Sequence, residues 1–237
     1  MNPSYRNLIL FLSILILASC KKDGPKFSPL ASLNVADAVV GGGNVKLNTN
    51  VRDSATINSY RLFQLNASNA TGIRLYPTNN PTATYYSQVH EIVNGGIYSL
   101  FLTGTAAEPE SVFVKDEIPP FSQDSIVRVR VINCSPNSSA ISVSLASAPA
   151  TNIVNNLAYK SLTTFNSLPL RTTIPVGSNV FQVRDSNGAV LATYTLPASG
   201  TISVAASRFK CITLVIKGLV GTTSGASAFG VYAMSNY

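Results

Sequence analysis

Beyond residue 30 the apolar residues of this chain recur at every second position, and that period constrains the fold more than any other feature. In Ser125-Ile126-Val127-Arg128-Val129-Arg130-Val131-Ile132 the valines alternate with Arg128 and Arg130. Ile141, Val143 and Leu145 alternate with Ser142 and Ser144. A strand turns successive side chains to opposite faces, so such segments bury one face and wet the other. Turn residues punctuate them: Asn94-Gly95-Gly96, and Asp185-Ser186-Asn187-Gly188 between Val183 and Val190, the latter a hairpin signature. Prolines are scattered throughout, and no stretch of about 12 residues keeps a helical stripe. The reading is all-β, with antiparallel sheets packed as sandwiches. Charged residues make up 11% of the 237, against about 25% in an ordinary soluble domain. That scarcity excludes a coiled coil and a charge-driven disordered chain, and it suits an exported β protein.

The chain repeats itself. Leu33-Asn34-Val35-Ala36-Asp37 aligns with Val129-Arg130-Val131-Ile132-Asn133, and Val45-Lys46-Leu47 with Ile141-Ser142-Val143, both at an offset of 96. Near the end of each unit Tyr98-Ser99-Leu100-Phe101-Leu102-Thr103-Gly104 aligns with Ile212-Thr213-Leu214-Val215-Ile216-Lys217-Gly218, now at an offset of 114. The second unit therefore carries about 18 extra residues in its middle. Asp116-Glu117-Ile118-Pro119-Pro120-Phe121 reads as the joint, because two prolines block a continuing ladder. The expected division is a first sandwich over 30–115, a proline-containing linker over 116–125 and a second sandwich over 126–237.

These motifs resemble a known family. Val127 to Pro136, with Asn133-Cys134-Ser135-Pro136 at its end, looks like the Arg-Val-Val-Asn-Ala-Ser-Pro opening of the "domain of unknown function 4397" family. The Tyr-Ser-Leu-Phe-Leu-Thr-Gly strand and the Asp-Glu-Ile-Pro-Pro joint fit it too. The first unit departs from the pattern, with Ala36-Asp37-Ala38 where the Asn-Ala-Ser-Pro turn belongs. The resemblance implies bacterial exported lipoproteins built of tandem immunoglobulin-like β-sandwiches. It carries over no catalytic residue.

The first residues carry an address. Arg6 precedes a ten-residue apolar run, Leu8 to Leu17, interrupted only by Ser13. That is shorter than the ~20 residues of a spanning helix. Leu17-Ala18-Ser19-Cys20 closes it and resembles the lipobox of bacterial lipoproteins. The resemblance implies a signal peptide over 1–19, cleavage between Ser19 and Cys20, acylation of Cys20, and a tether over 20–29. Three acyl chains would anchor the protein stably, since even two suffice. Cys20-Lys21-Lys22-Asp23 is similar to the start of Bacteroidota lipoproteins, which implies an outer-membrane address, with exposure on the cell surface for the outer leaflet.

The chemistry-bearing residues are sparse. Cys134 ends one strand and Cys211 begins another; as antiparallel neighbours they would lie close enough for a disulfide, the alternative being two buried free thiols. No CxxC spacing or neighbouring histidine points to a metal, and no cofactor motif is present. The single histidine, His90, reads as a wet-face strand residue. The carboxylate pairs Glu108/Glu110 and Asp116/Glu117 read as solvated loops rather than a cleft pair. Gly225-Ala226-Ser227-Ala228-Phe229 lacks the last glycine of a serine elbow, and Gly41-Gly42-Gly43 lacks the lysine and helix of a phosphate loop. The expectation is that this is not an enzyme. Asp53-Ser54-Ala55 and Asp124-Ser125-Ile126 resemble the O-glycosylation triplet of exported Bacteroidota proteins, which marks Ser54 and Ser125.

Charge is concentrated in the second half. Residues 126–237 hold eight basic side chains and one acid, Asp185, whereas 24–125 hold six basic and eight acidic residues. A positive field of that kind attracts polyanions, the alternative being that the basic half lies against its own anionic membrane or the acidic first unit. Arg128 and Arg130 share a strand face by alternation, and Lys210 and Lys217 flank another strand, so these four are the candidate anion-binding residues. The absence of an aromatic-basic platform argues against nucleic acid. The reading is a lipid-anchored, non-catalytic binding or adhesion module for acidic glycans. The alternative is a structural accessory subunit of an envelope complex that binds partner proteins.

Overall fold

The computed structural model describes residues 28–121, 124–169, 178–196 and 209–236. Sixteen strands are formed among them, and no helix. The first unit contains β1 (Leu30–Asp37), β2 (Val45–Leu47), β3 (Asn50–Ala55), β4 (Ser59–Asn66), β5 (Ser68–Pro77), β6 (Tyr86–Ile92), β7 (Ile97–Gly104) and β8 (Pro109–Lys115). The second contains β9 (Ile126–Asn133), β10 (Ile141–Leu145), β11 (Ala148–Leu157), β12 (Asn166–Pro169), β13 (Val180–Arg184), β14 (Val190–Thr195), β15 (Cys211–Lys217) and β16 (Gly230–Ser235).

Each unit is a sandwich of two four-stranded sheets. The orders are β4-β1-β7-β8 over β3-β2-β5-β6, and β12-β9-β15-β16 over β11-β10-β13-β14. Adding eight to each strand number of the first unit gives the second, so the sequence repeat is a repeat of topology. The alternating valines and isoleucines meet between the sheets. Leu33, Val35, Leu47, Leu75 and Leu100 fill the first core. Val129, Val131, Val143, Phe181 and Leu214 fill the second.

The strands are not all antiparallel. The central pair of one sheet in each sandwich is parallel, β1 with β7 and β9 with β15. The members of each pair are joined by a long excursion through the opposite sheet, so no hairpin dictates their direction. Gly104 and Gly218 close these central strands with φ of 75° and 78°. A Cβ on them would stand 2.4 Å from the Glu108 carbonyl oxygen and 2.1 Å from that of Ala228. Only glycine fits either place, which explains its recurrence at both repeat positions.

The two sandwiches are fused along a seam. Ala36, Ala38 and Phe101 of the first pack with Ile132, Cys134, Val215 and Met234 of the second in a third buried cluster. The sheets containing β7 and β15 are consequently covered on both faces, and Cys211 through Ile216 are buried without interruption. Ser99 near the start of β7 meets Arg130 and Asn236, while Thr103 near its end donates to the Cys134 carbonyl at 2.7 Å. β7 and β9 therefore run in the same direction. The starts of β1, β7, β9 and β15 share one end of the molecule, hereafter the proximal end.

Candidate functional site

The four basic residues singled out in the sequence do not converge. Arg130 lies in the seam with 4% of its surface exposed. Its Nη2 donates to Asp116 Oδ1 at 2.8 Å and to Ser99 Oγ at 3.1 Å, and its Nε donates to Thr213 Oγ1 at 2.8 Å. Asn236 donates to Asp116 Oδ2 at 3.2 Å, and the Arg130 guanidinium lies 4.7 Å from the centroid of Phe165. A charge this buried must be paired and fully bonded. Arg130 is thus a structural ion, not an anion-binding group, and the face it shares with Arg128 is covered rather than wet. Burial raises the pKa of the Cys211 thiol, and the half-buried Arg128 that bonds it opposes that rise without cancelling it. Lys210 is exposed at the proximal end, whereas Lys217 stands at the other end of β15. Lys160 pairs with Glu110 at 2.7 Å across the seam. Arg171 and Arg208 lie outside the described residues, as do Ser19 and Cys20.

The expected disulfide is corrected. Cys134 and Cys211 are both buried free thiols. The parallel register sets Cys211 beside Arg128 and Ile216 beside Asn133. The two cysteines therefore mark opposite ends of the strand pair, roughly 20 Å apart at ~3.3 Å per residue, beyond the reach of a bridge. Burial pushes the Cys134 thiol up to about 12.

The catalytic inventory is dispersed. His90 is sandwiched rather than wet: its ring stacks on Phe113 at 4.0 Å and its Nε2 bonds the Tyr86 hydroxyl. Burial lowers its pKa. Glu110 is bonded by Lys160 and Tyr159, which hold its carboxyl below the usual range. Asp116 belongs to the Arg130 network, so neither carboxylate pair is the pair of solvated loop acids that the sequence suggested. Among the described residues no three metal-ligating side chains cluster. Ser54 is half-buried on β3, where Asp53 pairs with Arg61 at 2.6 Å, and Ser125 is half-buried just before β9.

What does converge is a set of polar side chains on the outer sheet of the second sandwich. β11 meets β10 with three register shifts: Val143 faces Val154, Ser144 faces Asn152, and Leu145 faces Ala148. The surplus residues around Pro149 and Ala150 bulge, and bulges re-aim side chains. The bulged strand forms one wall of an open cleft of about 360 Å³, lined by Asn152, Asn155 and Asn156. The β13–β14 turn, Asp185 to Gly188, lines the opposite side, with Ser142 and Arg184 between. Asn156 sits at φ 47°, a conformation asparagine tolerates.

The charges in this cleft are committed to shaping it. Arg184 donates to Ser144 Oγ at 3.1 Å, to the Gly188 carbonyl at 2.6 Å and to Gln182 Oε1. Asp185 Oδ1 accepts from the Asn187 and Ala189 amides at 2.9 and 2.8 Å. Apart from the 2.9 Å bond between Asn152 and Asn155, the side-chain amides keep their spare donors and acceptors. In the first sandwich the positions of Ser142 and Arg184 are held by Lys46 and Tyr76, so the cleft is a property of the second unit. The sequence offered one signal for it, the run Thr151-Asn152-Ile153-Val154-Asn155-Asn156, whose alternation breaks at the bulge.

Two sandwiches of one topology joined by a packed seam place the chain in the class of tandem β-sandwich proteins. No protein-family model matches the sequence, and no curated protein matches it.

Proposed function

We propose that this chain is a lipid-anchored protein of the outer membrane that acts as a non-catalytic binding module, with the cleft of the second sandwich as its ligand site. The observation that carries this reading is the cleft's chemistry: amide and hydroxyl groups with spare hydrogen-bonding capacity around an Arg184 and an Asp185 of opposite charge that are engaged by hydrogen bonds within β10, β13 and the turn. Such a lining suits a neutral, polyhydroxylated ligand, a glycan, better than the acidic glycan suggested by net charge. The cleft also opens near the end of the molecule opposite residue 28, so an anchored protein would present it away from the membrane.

The test is binding of the mature chain to neutral and acidic oligosaccharides at low and high salt. Retention of a neutral glycan, insensitive to salt and weakened about tenfold by Asn152→Ala with Asn155→Ala, supports the reading, since each lost bond is worth about 0.5–1.5 kcal/mol. Salt-sensitive binding of acidic glycans that Arg128→Ala with Lys210→Ala abolishes would return the site to the basic residues.

The alternative, an accessory subunit that binds partner proteins, is favoured by a second groove of about 370 Å³ lined by Tyr60, Leu62 and Ile97 beside Asn236. Leu62 there is 57% exposed. A photoreactive residue at position 62 that yields a discrete envelope adduct in cells, with none from position 190, would favour that reading.

A further inference from the structure

The proximal end of the molecule exposes an unusual set of side chains for a soluble surface. Phe121 is 74% exposed and stacks on Phe209, with ring centroids 5.4 Å apart. Both belong to this end: the Phe209 amide bonds the Ile126 carbonyl at the start of β9, and Phe121 lies in the joint leading to it. Leu30 and Val93, each 37% exposed, lie here too, joined through the Gly95 amide on the Leu30 carbonyl. Among the described residues the other exposed large apolar side chains lie along strand bodies, as Val51, Leu62 and Val89 do, or near the far end, as Val190 does.

The chain also enters the first sandwich at this end, through Ser28 and Pro29 into β1. Ser28 is eight residues on from Cys20, a span of at most about 28 Å when fully extended. That is about the length of one strand here, so an anchor at Cys20 would hold this end nearest the bilayer.

We propose that this end seats on the membrane, with the Phe121 and Phe209 rings entering the boundary between headgroups and acyl chains. The inference rests on the anchored reading of Cys20 proposed above. Aromatic rings favour that boundary, and an apolar face at a membrane surface buries to about 5–10 Å. Among the described residues the charge at this end is mixed: Lys115 and Lys210 are exposed and Arg128 is half-buried, while Glu117 and Asp124 share it. The seating therefore rests on the apolar rings, and it persists on uncharged lipid and at high salt. It orients the sandwiches as a column, with the polar cleft at the outer end.

The chain has no tryptophan, which makes the test direct. Full-length Phe121→Trp and, as a far-end control, Val190→Trp are extracted from membranes and reconstituted into phosphatidylcholine vesicles with and without acyl-chain bromines. Intact mass reports acylation of Cys20 in the same samples. The expected result is acylated protein in which the indole emission of Phe121→Trp shifts to the blue and is quenched at least ~twofold in low and high salt, with that of Val190→Trp unaffected. Acylated Phe121→Trp protein with unquenched emission overturns the seating and leaves the anchor intact. If the mass shows no acylation, the anchored reading fails, and the unacylated chain is mixed with the same vesicles. Quenching there keeps this end as a lipid-binding face in its own right, and its absence overturns the proposal.

Discussion

Asp37 offers the sharpest test of how the two repeats differ. It ends β1 with no exposed surface; its Oδ1 accepts the Val39 amide at 3.2 Å, and its Oδ2 has no partner. The same position in the second unit is Asn133, whose Nδ2 donates to the Leu157 carbonyl at 3.2 Å and to Ser138 Oγ at 2.9 Å. Where the second unit has an amide, the first has a carboxyl, and burial raises its pKa from 3.8 to about 7. The titratable groups facing it, Tyr85 and Tyr232, are themselves pushed upward by burial and stay neutral in this range. A carboxyl that binds its proton more tightly when folded contributes stability that is full below the unfolded value and is lost as pH rises through the folded one. A shift of about 3 units corresponds to about 4 kcal/mol, of which about 3 kcal/mol falls between pH 5 and pH 8. Asp37→Asn removes this dependence, so its advantage over the parent should widen by about 3 kcal/mol across that interval, or roughly 10 °C in melting temperature. Urea unfolding of both proteins from pH 5 to pH 8 measures it, and His90 titrates equally in both. Equal pH slopes, or an Asp37→Asn protein less stable than the parent at pH 8, would refute the reasoning.

Three further outcomes follow from the seam and the strands. Asp116→Asn should cost about 3–5 kcal/mol by leaving Arg130 buried without its counter-ion. Arg130→Met combined with Asp116→Leu should cost less than either single change, as chemical denaturation would show. Reductant should leave the melting temperature unchanged, and the thiols of Cys134 and Cys211 should react only after unfolding; a reductant-induced drop of several degrees would contradict the free thiols. Gly218→Ala should lose at least ~2 kcal/mol, because the added Cβ collides with the Ala228 carbonyl and the backbone is left-handed there. Gly221→Ala, with nothing within 4 Å of its Cβ, serves as the control that isolates the collision from the shared positive φ.

Period-two alternation made the strands legible, and repeat offsets made the shared topology legible. Strand direction was not, because a parallel and an antiparallel strand show the same alternation. The disulfide expectation fell with that one unknown: the residues at issue were correctly placed at strand ends, but at ends that lie apart. Arg130 was misread for a related reason. Alternation assigns it to the face away from its own core, and it does lie there, but the other sandwich covers that face. A signal was present in Tyr98-Ser99-Leu100-Phe101-Leu102 and Cys211-Ile212-Thr213-Leu214-Val215-Ile216, where Phe101, Cys211 and Val215 add apolar side chains to the second face and no charged residue intervenes, as in strands enclosed on both sides. The cleft was the least legible feature, because it depends on a bulge that moves β11 across β10, and register shifts leave little trace in composition.

The seam also sets the order in which the molecule can become complete during its synthesis. The first sandwich emerges with all eight of its strands, yet Ala36, Ala38 and Phe101 then stand bare, and Asp116 waits for its arginine. Arg130 arrives early in the second unit, but Met234 and Asn236, which close the apolar cluster and the polar network, belong to β16 and its end. A ribosome must therefore pass the codons of β16 and Asn236 before either half has a finished surface. Until then the nascent protein carries a sticky flank that a folding helper would recognise, and a premature stop within β16 would leave both sandwiches, not one, as substrates for proteolysis.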